Sequence, residues 1–247
     1  MQLLLFPFRL CVVVVWVLLG LLAVTVLFPV ASQSIRGAMI HHWSRALMAV
    51  CGVRIRMTGY EPHQGAVLWV ANHVSWVDIF VLNAVRPTAF IAKSDIRSWP
   101  VIGWLVAGAG TVFIERGKRH AIRAVGQQME QRFARGEVIG LFPEGTTSPG
   151  FDVAPFHTSL FDPAIRAGVD IQPMALRFYS EDQRSDRVAF VGDQTLVHNL
   201  WRLLTSRGVM VDIEVQPVLD HAWCVEQGRA RVAAHAHALI QNAVRIP

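Results

Sequence analysis

Cysteine is scarce and unpatterned in this chain. Three occur, Cys11, Cys51 and Cys224. An odd number without ligand-like spacing excludes a disulfide framework and a cysteine-based metal site. The three read as small hydrophobes in a reducing compartment. Charge is missing over one long stretch, with no ionisable acid or base between Arg9 and Arg36. A Gly-x-Ser-x-Gly elbow is also missing, so any nucleophile is expected on the substrate rather than on the protein. Zinc-finger spacing, basic heptads and aromatic RNA-binding signatures are absent, so the net charge of +5 is not read as a nucleic-acid footprint. His41, His42, His120, His198, His235 and His237 form no ligand pattern, and no metal is expected. Internal repeats and low-complexity linkers are not found either.

What is present is strongly apolar. Of 247 residues 53% are hydrophobic, with a mean hydropathy of +0.37. The excess is concentrated at residues 10–28, long enough to match a hydrocarbon core at about 1.5 Å per helical residue. A cleaved signal peptide is the alternative, but the run exceeds a usual h-region of roughly 7–15 residues. A retained anchor is the expected state, as a span or as a hairpin within one leaflet. Pro29 and Gly37 are read as breaks, after which Ile40, Trp43, Leu47 and Val50 recur at helical spacing. Arg36, Arg45, Arg54 and Arg56 follow the apolar run against only Arg9 before it, which places the bulk of the chain on the cytoplasmic side of the inner membrane. Basic charge there suits anionic lipid headgroups.

Beyond the anchor, strand-like and helix-like segments alternate. Strands are expected at 53–57, 66–71, 88–92, 111–114, 138–142, 169–176, 188–191 and 210–215, and helices at 77–85, 120–135, 161–167 and 225–244. Residues 101–109 read as helix or loop. The organisation is an N-terminal membrane motif over residues 1–52 and one α/β domain over 53–247.

Two elements carry chemistry. In Asn72-His73-Val74-Ser75-Trp76-Val77-Asp78, the histidine follows a buried strand and the aspartate lies about one turn into the next helix. A carboxylate on one ring nitrogen fixes the tautomer and stabilises the imidazolium while the other nitrogen takes a proton. A structural histidine beside a helix cap is the plain alternative, and Ser75 can cap that helix in either case. The second element is Phe142-Pro143-Glu144-Gly145-Thr146-Thr147-Ser148, a strand end entering a turn. Gly145 lets the backbone approach a ligand, and neighbouring amides and hydroxyls can hold an anion. Between them, Arg116 ends a strand-like run as a possible phosphate or carboxylate clamp, with a solvated basic turn as the alternative. Lys93 is a further cation at a strand end.

In this order the residues resemble the glycerolipid acyltransferase family. Asn72 to Asp78 is similar to its first motif, Gly110 to Arg116 to its second, and Phe142 to Ser148 to its third; the strand carrying Pro173 is similar to its fourth. The resemblance covers roughly residues 50 to 195. It implies a single acyltransferase domain with a mixed central sheet flanked by helices, preceded by a hydrophobic membrane-anchoring helical motif. It implies transfer of an acyl group from a thioester, on coenzyme A or acyl carrier protein, to a lysolipid hydroxyl, with no other cofactor. His73 is the implied base and Asp78 its orienter. Arg116, Glu144, Gly145, Thr146 and Lys93 are the implied acceptor site, and membrane lipids are partners. The acceptor is expected to be 1-acyl-sn-glycerol-3-phosphate. One departure stands out: where the family often has Phe-Lys or Phe-Arg and then a glycine, this chain has Phe156-His157-Thr158-Ser159. Loss of the fixed cation makes lyso-ornithine lipid the alternative acceptor. A lipid-binding protein on an inactive fold and a hydrolase using the same dyad on water are the remaining readings.

Overall fold

The computed structural model describes residues 2–115 and 119–246. Its centre is an eight-stranded mixed sheet. In chain order the strands are β1 (Val53–Gly59), β2 (Val67–Ala71), β3 (Thr88–Lys93), β4 (Val112–Ile114), β5 (Val138–Leu141), β6 (Asp170–Ser180), β7 (Gln183–Arg184) and β8 (Val209–Val215). Their spatial order is β1-β8-β6-β2-β5-β3-β4, with β7 hairpinned onto β6. Pairing is parallel except between β6 and β8 and between β6 and β7.

The helices are α1 (Gln2–Leu22), α2 (Gln33–Val50), α3 (Val77–Asn83), α4 (Ile102–Gly108), α5 (Arg119–Phe133), α6 (Asp162–Arg166), α7 (Leu196–Thr205) and α8 (His221–Arg245). Strand periodicity divides the core into two layers. Val67, Trp69 and Ala71 of β2 enter the layer shared with α1, α2, α3 and α7, whereas Leu68 and Val70 enter the layer shared with α5 and α8. Every β2 side chain is buried. That is why β2 reads as an unbroken apolar run rather than an alternating one.

The N-terminal helices dock firmly on the domain. Trp16 Nε1 donates to the carbonyl of Trp43 and Trp43 Nε1 to that of Trp16, each at 3.1 Å, so α1 and α2 are cross-braced. Ser32 caps α2, its Oγ accepting from Ile35 N at 3.4 Å. The break expected at Gly37 is not observed, because α2 begins earlier, at Gln33, and runs through that glycine.

Two further expectations are corrected. Residues 188–191 are not a strand. Val188 and Ala189 are buried, and the Phe190 N–H donates to the Val74 carbonyl at 2.9 Å, so the apolar run is a loop pinned beneath the His73 segment. α7 follows that loop in a stretch where no helix was expected.

Candidate active site

β2 ends at Ala71, and the chain turns away at Asn72. That side chain continues the sheet pattern one step further: Asn72 Nδ2 donates to the Leu176 carbonyl at 3.0 Å, and Leu176 N donates to Asn72 Oδ1 at 2.7 Å. The backbone of residue 73 is thus released from the β-ladder while its neighbour stays anchored. His73 Nδ1 lies 2.7 Å from Asp78 Oδ2. The same oxygen accepts from Val74 N at 2.7 Å and Ser75 N at 3.0 Å. Asp78 is completely buried, whereas the His73 side chain keeps 20% exposure. A fixed, buried carboxylate therefore holds Nδ1–H, leaving Nε2 as the nitrogen that can exchange a proton. The cap expected from Ser75 is not made: its hydroxyl is buried without a partner among the described residues, and Asp78 organises the turn instead.

The imidazole is also held from its face. It stacks on Phe142 with centroids 4.1 Å apart and an interplanar angle of 11°. Phe142 in turn stacks on Phe90 at 5.5 Å and 7°. Phe90 lies across Gly140 of β5, where a Cβ would fall 2.3 Å from Phe90 Cε1. Glycine is required there so that one ring can lie flat over the strand.

Phe142 to Ser148 encloses the His73 segment. His73 N–H donates to Glu144 Oε1 at 2.7 Å, and the His73 carbonyl accepts from Ser148 N at 2.8 Å. Glu144 Oε2 accepts from Ala154 N at 2.8 Å. Glu144 is 5% exposed, and burial raises its pKa against the opposing pull of these two amides. Thr147 Oγ1 donates to the Phe190 carbonyl in a short bond. Gly145 adopts φ +73°, reserved in practice for glycine, and makes the turn after Glu144.

Gly145, Thr146 and Lys93 fall at the same end of the sheet in different settings. Gly145 lines a cavity of about 370 Å³ with Phe142, Pro143 and His157. Thr146 is exposed. Lys93 ends β3 and is ion-paired with Asp95. Arg116 lies outside the described residues. Glu144 has both oxygens on backbone amides, so its carboxylate braces two loops and is not turned outward as a headgroup contact requires. His157, the departure noted in the sequence, sits at the cavity edge, its N–H donating to the Pro143 carbonyl at 2.9 Å.

A second space reaches the stack from the opposite side. This apolar cleft of about 610 Å³ is walled by Trp16, Val24, Met39, Trp43, Phe80 and Phe90, between the N-terminal helix pair, α3, β3 and α4. Phe90 is common to the cleft and to the rings behind His73.

Three supporting residues had little sequence signal. Phe90 and Gly140 are ordinary strand residues until parallel pairing sets them opposite one another. Asn199 of α7 is fully buried, its Oδ1 accepting from Trp76 Nε1 at 2.8 Å and its Nδ2 donating to the Ala189 carbonyl at 2.9 Å. An asparagine flanked by Val197, His198, Leu200 and Trp201 was the only hint.

Comparison with known proteins shows the family and the fold. The Acyltransferase family model matches residues 53–177, which include His73, Asp78 and Glu144. The chain is 36% identical over 203 residues to the lyso-ornithine lipid O-acyltransferase of Pseudomonas aeruginosa, covering 80% of this chain and 78% of that one. It is 36% identical over 188 residues to the 1-acyl-sn-glycerol-3-phosphate acyltransferase of Neisseria meningitidis, covering 76% and 74%. The fold matches the crystal structure of the 1-acyl-sn-glycerophosphate acyltransferase PlsC from Thermotoga maritima with a TM-score of 0.74 at 20% identity, over 99% of this chain and 96% of that one. The chain belongs to the acyltransferase family and is an O-acyltransferase. Its mixed sheet flanked by helices, with one N-terminal apolar helix, is the architecture expected from the sequence.

Proposed function

We propose that this enzyme transfers an acyl group from an acyl thioester, carried by coenzyme A or acyl carrier protein, to the hydroxyl of a lysolipid. The reading rests on one observation: a partly exposed imidazole is held at 2.7 Å by a buried carboxylate and stacks on Phe142, which lines the small cavity and in turn stacks on Phe90 of the apolar cleft. His73 Nε2 takes the proton of the acceptor hydroxyl as its oxygen attacks the thioester carbonyl. The C–S bond then breaks, and the proton passes from the imidazolium to the leaving thiolate. Asp78 stabilises the imidazolium throughout. The apolar cleft suits an acyl chain, and its volume lies in the usual ligand-site range of about 300–1,000 Å³. Gly145 and Thr146 border the acceptor headgroup, with Arg116 and Lys93 as its cations. The catalytic unit is residues 53–247, seated on the cytoplasmic face of the inner membrane by residues 1–52.

The acceptor proposed is 1-acyl-sn-glycerol-3-phosphate, giving phosphatidic acid. A second acceptor, lyso-ornithine lipid, is favoured by His157 at the cavity edge and by the Lys93–Asp95 pair, which together reduce fixed positive charge. The deciding assay supplies purified full-length protein with labelled acyl donor and each acceptor in turn. Transfer to the phosphate lipid supports the first acceptor, and preference for lyso-ornithine lipid moves the assignment to the second. Folded protein that acylates neither would sink both. Fatty acid released without acceptor would identify hydrolysis instead.

A further inference from the structure

The apolar segment Phe6–Leu27 has a mean hydropathy of 3.0 and turns Phe8, Val15, Leu18 and Leu22 to the outside. Both of its ends are pinned to the α/β domain. Arg9 Nη1 donates to the carbonyls of Leu204 and Ser206, at the end of α7, each at 3.0 Å. Near the other end, Gly108 of α4 sits so close to Val24 that a Cβ would fall 2.3 Å from its Cγ1. α7 and α4 therefore lie against the two ends of this segment, and each carries large apolar side chains out to solvent. Val197 is 77% and Trp201 47% exposed on α7, and Trp104 is 67% exposed on α4. Val197 and Trp201 lie one helical turn apart, opposite buried Asn199 and Leu203, so the exposure belongs to a face of the helix and not to a frayed end. Indole rings bordering an apolar surface are what the headgroup zone of a bilayer accommodates. The first acidic residue of the chain is Glu61, so this face is approached only by positive charge from the N-terminal helices, as anionic lipid requires.

We propose that the bilayer contact of this protein extends from α1 onto the helices at both of its ends, with Trp201 of α7 and Trp104 of α4 seated at the headgroup level of a single leaflet. The proposal rests on the membrane-lipid reading above and deepens it. The inner face of α7 grips Trp76 through Asn199, so the His73 segment lies roughly one helix diameter, about 10–12 Å, from the lipid surface. A lysolipid then reaches His73 without leaving the leaflet.

The test uses the full chain with Cys11→Ser, since Cys51 and Cys224 are buried. Single cysteines are introduced as L18C, W104C, W201C and V225C and labelled with an environment-sensitive fluorophore. Val225 is 55% exposed on α8, across the sheet from α1. Each protein is mixed with phosphatidylethanolamine–phosphatidylglycerol vesicles brominated on the acyl chains near the headgroup. Labels at 18, 104 and 201 are expected to lose most of their emission, while the label at 225 keeps its own. Loss at 18 with emission retained at 104 and 201 overturns the proposal and leaves membrane binding intact; loss at only one of 104 and 201 overturns a surface that takes in both helices. Retention at all four sites removes the membrane reading itself. A spectral change at 201 that follows protein concentration without lipid assigns the face to a second copy and also overturns the proposal. Should W201C fail to fold by near-ultraviolet circular dichroism, V197C reports the same face.

Discussion

Asp78, in the first turn of α3, and Asp212, within β8, are both buried carboxylates, and they serve opposite ends. Asp78 is bonded to an imidazole that retains 20% exposure. Asp212, in β8, takes Arg56 on both oxygens at 3.1 Å and Arg177 at 2.8 Å. Arg177 also pairs with Glu214 at 2.7 Å and donates to the Ala243 carbonyl at 3.0 Å, tying β6 and β8 to α8. Guanidiniums do not give up protons in proteins, so the Asp212 network can only hold the structure. An imidazole can, so the Asp78 pair can move a proton. Burial of a carboxylate alone does not decide what it can do; the titratability and exposure of its partner do.

This contrast can be broken most sharply at His73. His73→Ala should lower kcat by roughly 10²–10⁴, the range for loss of a general base. Its urea midpoint should fall by less than that of Asp212→Ala, because Asp78 keeps the amide bonds from Val74 and Ser75. A variant with near-normal turnover removes His73 as the base. Asp212→Ala should do the reverse. It leaves buried Arg177 with Glu214 and the Ala243 carbonyl, while Arg56, whose side chain is 52% exposed, is re-solvated. A stability loss of about 3 kcal/mol is expected, the low end for breaking a buried pair. The remaining folded protein should keep its kcat.

Glu144→Gln tests a carboxylate of intermediate kind. One amide N–H would face the new NH₂ group, costing about 1.5–3 kcal/mol for a lost charge-assisted bond. If Glu144 is a brace, kcat and KM for acceptors of different headgroup charge should fall or rise together. A KM change confined to the phosphate acceptor would return it to a headgroup role. Gly140→Ala presses on Phe90 and should cost about 1–3 kcal/mol by overpacking, with a fall in kcat as the ring stack behind His73 shifts. Unchanged kcat would separate the stack from catalysis.

The smallest effect is in pH dependence. Burial holds the Glu144 pKa above its ordinary 4.5. The folded state therefore keeps a proton that the unfolded chain has released, and this group's contribution falls as pH rises from 4.5 through the folded pKa. Asp212 has the opposite sign. Burial alone would raise its pKa, but the bonds from Arg56 and Arg177 outweigh it and hold it below 3.8, so its contribution is present above 3.8 and lost as pH falls through the folded pKa. Stability curves of Glu144→Gln and Asp212→Asn should each flatten on its own side of the profile. Flattening on the same side would contradict these directions.

Much of the sheet was legible because its central strands are buried on both faces and so read as apolar runs. The same rule misled at residues 188–191. A short apolar run is equally compatible with a loop packed under a neighbouring segment, and only the Phe190–Val74 bond distinguishes the two. Gly37 misled for a related reason: a single glycine costs a helix only about 1 kcal/mol, which Ser32 capping and packing of α2 against α3 offset. At the site, the spacing of His73 and Asp78 exposed the pair because their contact is local. Glu144 carried its position but not its orientation, since its partners are amides at residues 73 and 154.

The sequence by itself determined the α/β alternation, the apolar N-terminal segment and the two polar turns, because each depends on periodicity or on neighbours within a few residues. Only the tertiary structure decided which groups those turns employ. Parallel pairing put Gly140 beneath Phe90, the ring stack fixed the plane of His73, and the carboxylate of Glu144 was turned inward by two distant amides. It also laid α4 and α7 beside α1, joining exposed tryptophans from two parts of the chain around one apolar helix. Such arrangements depend on contacts between segments tens of residues apart, which local propensity does not encode.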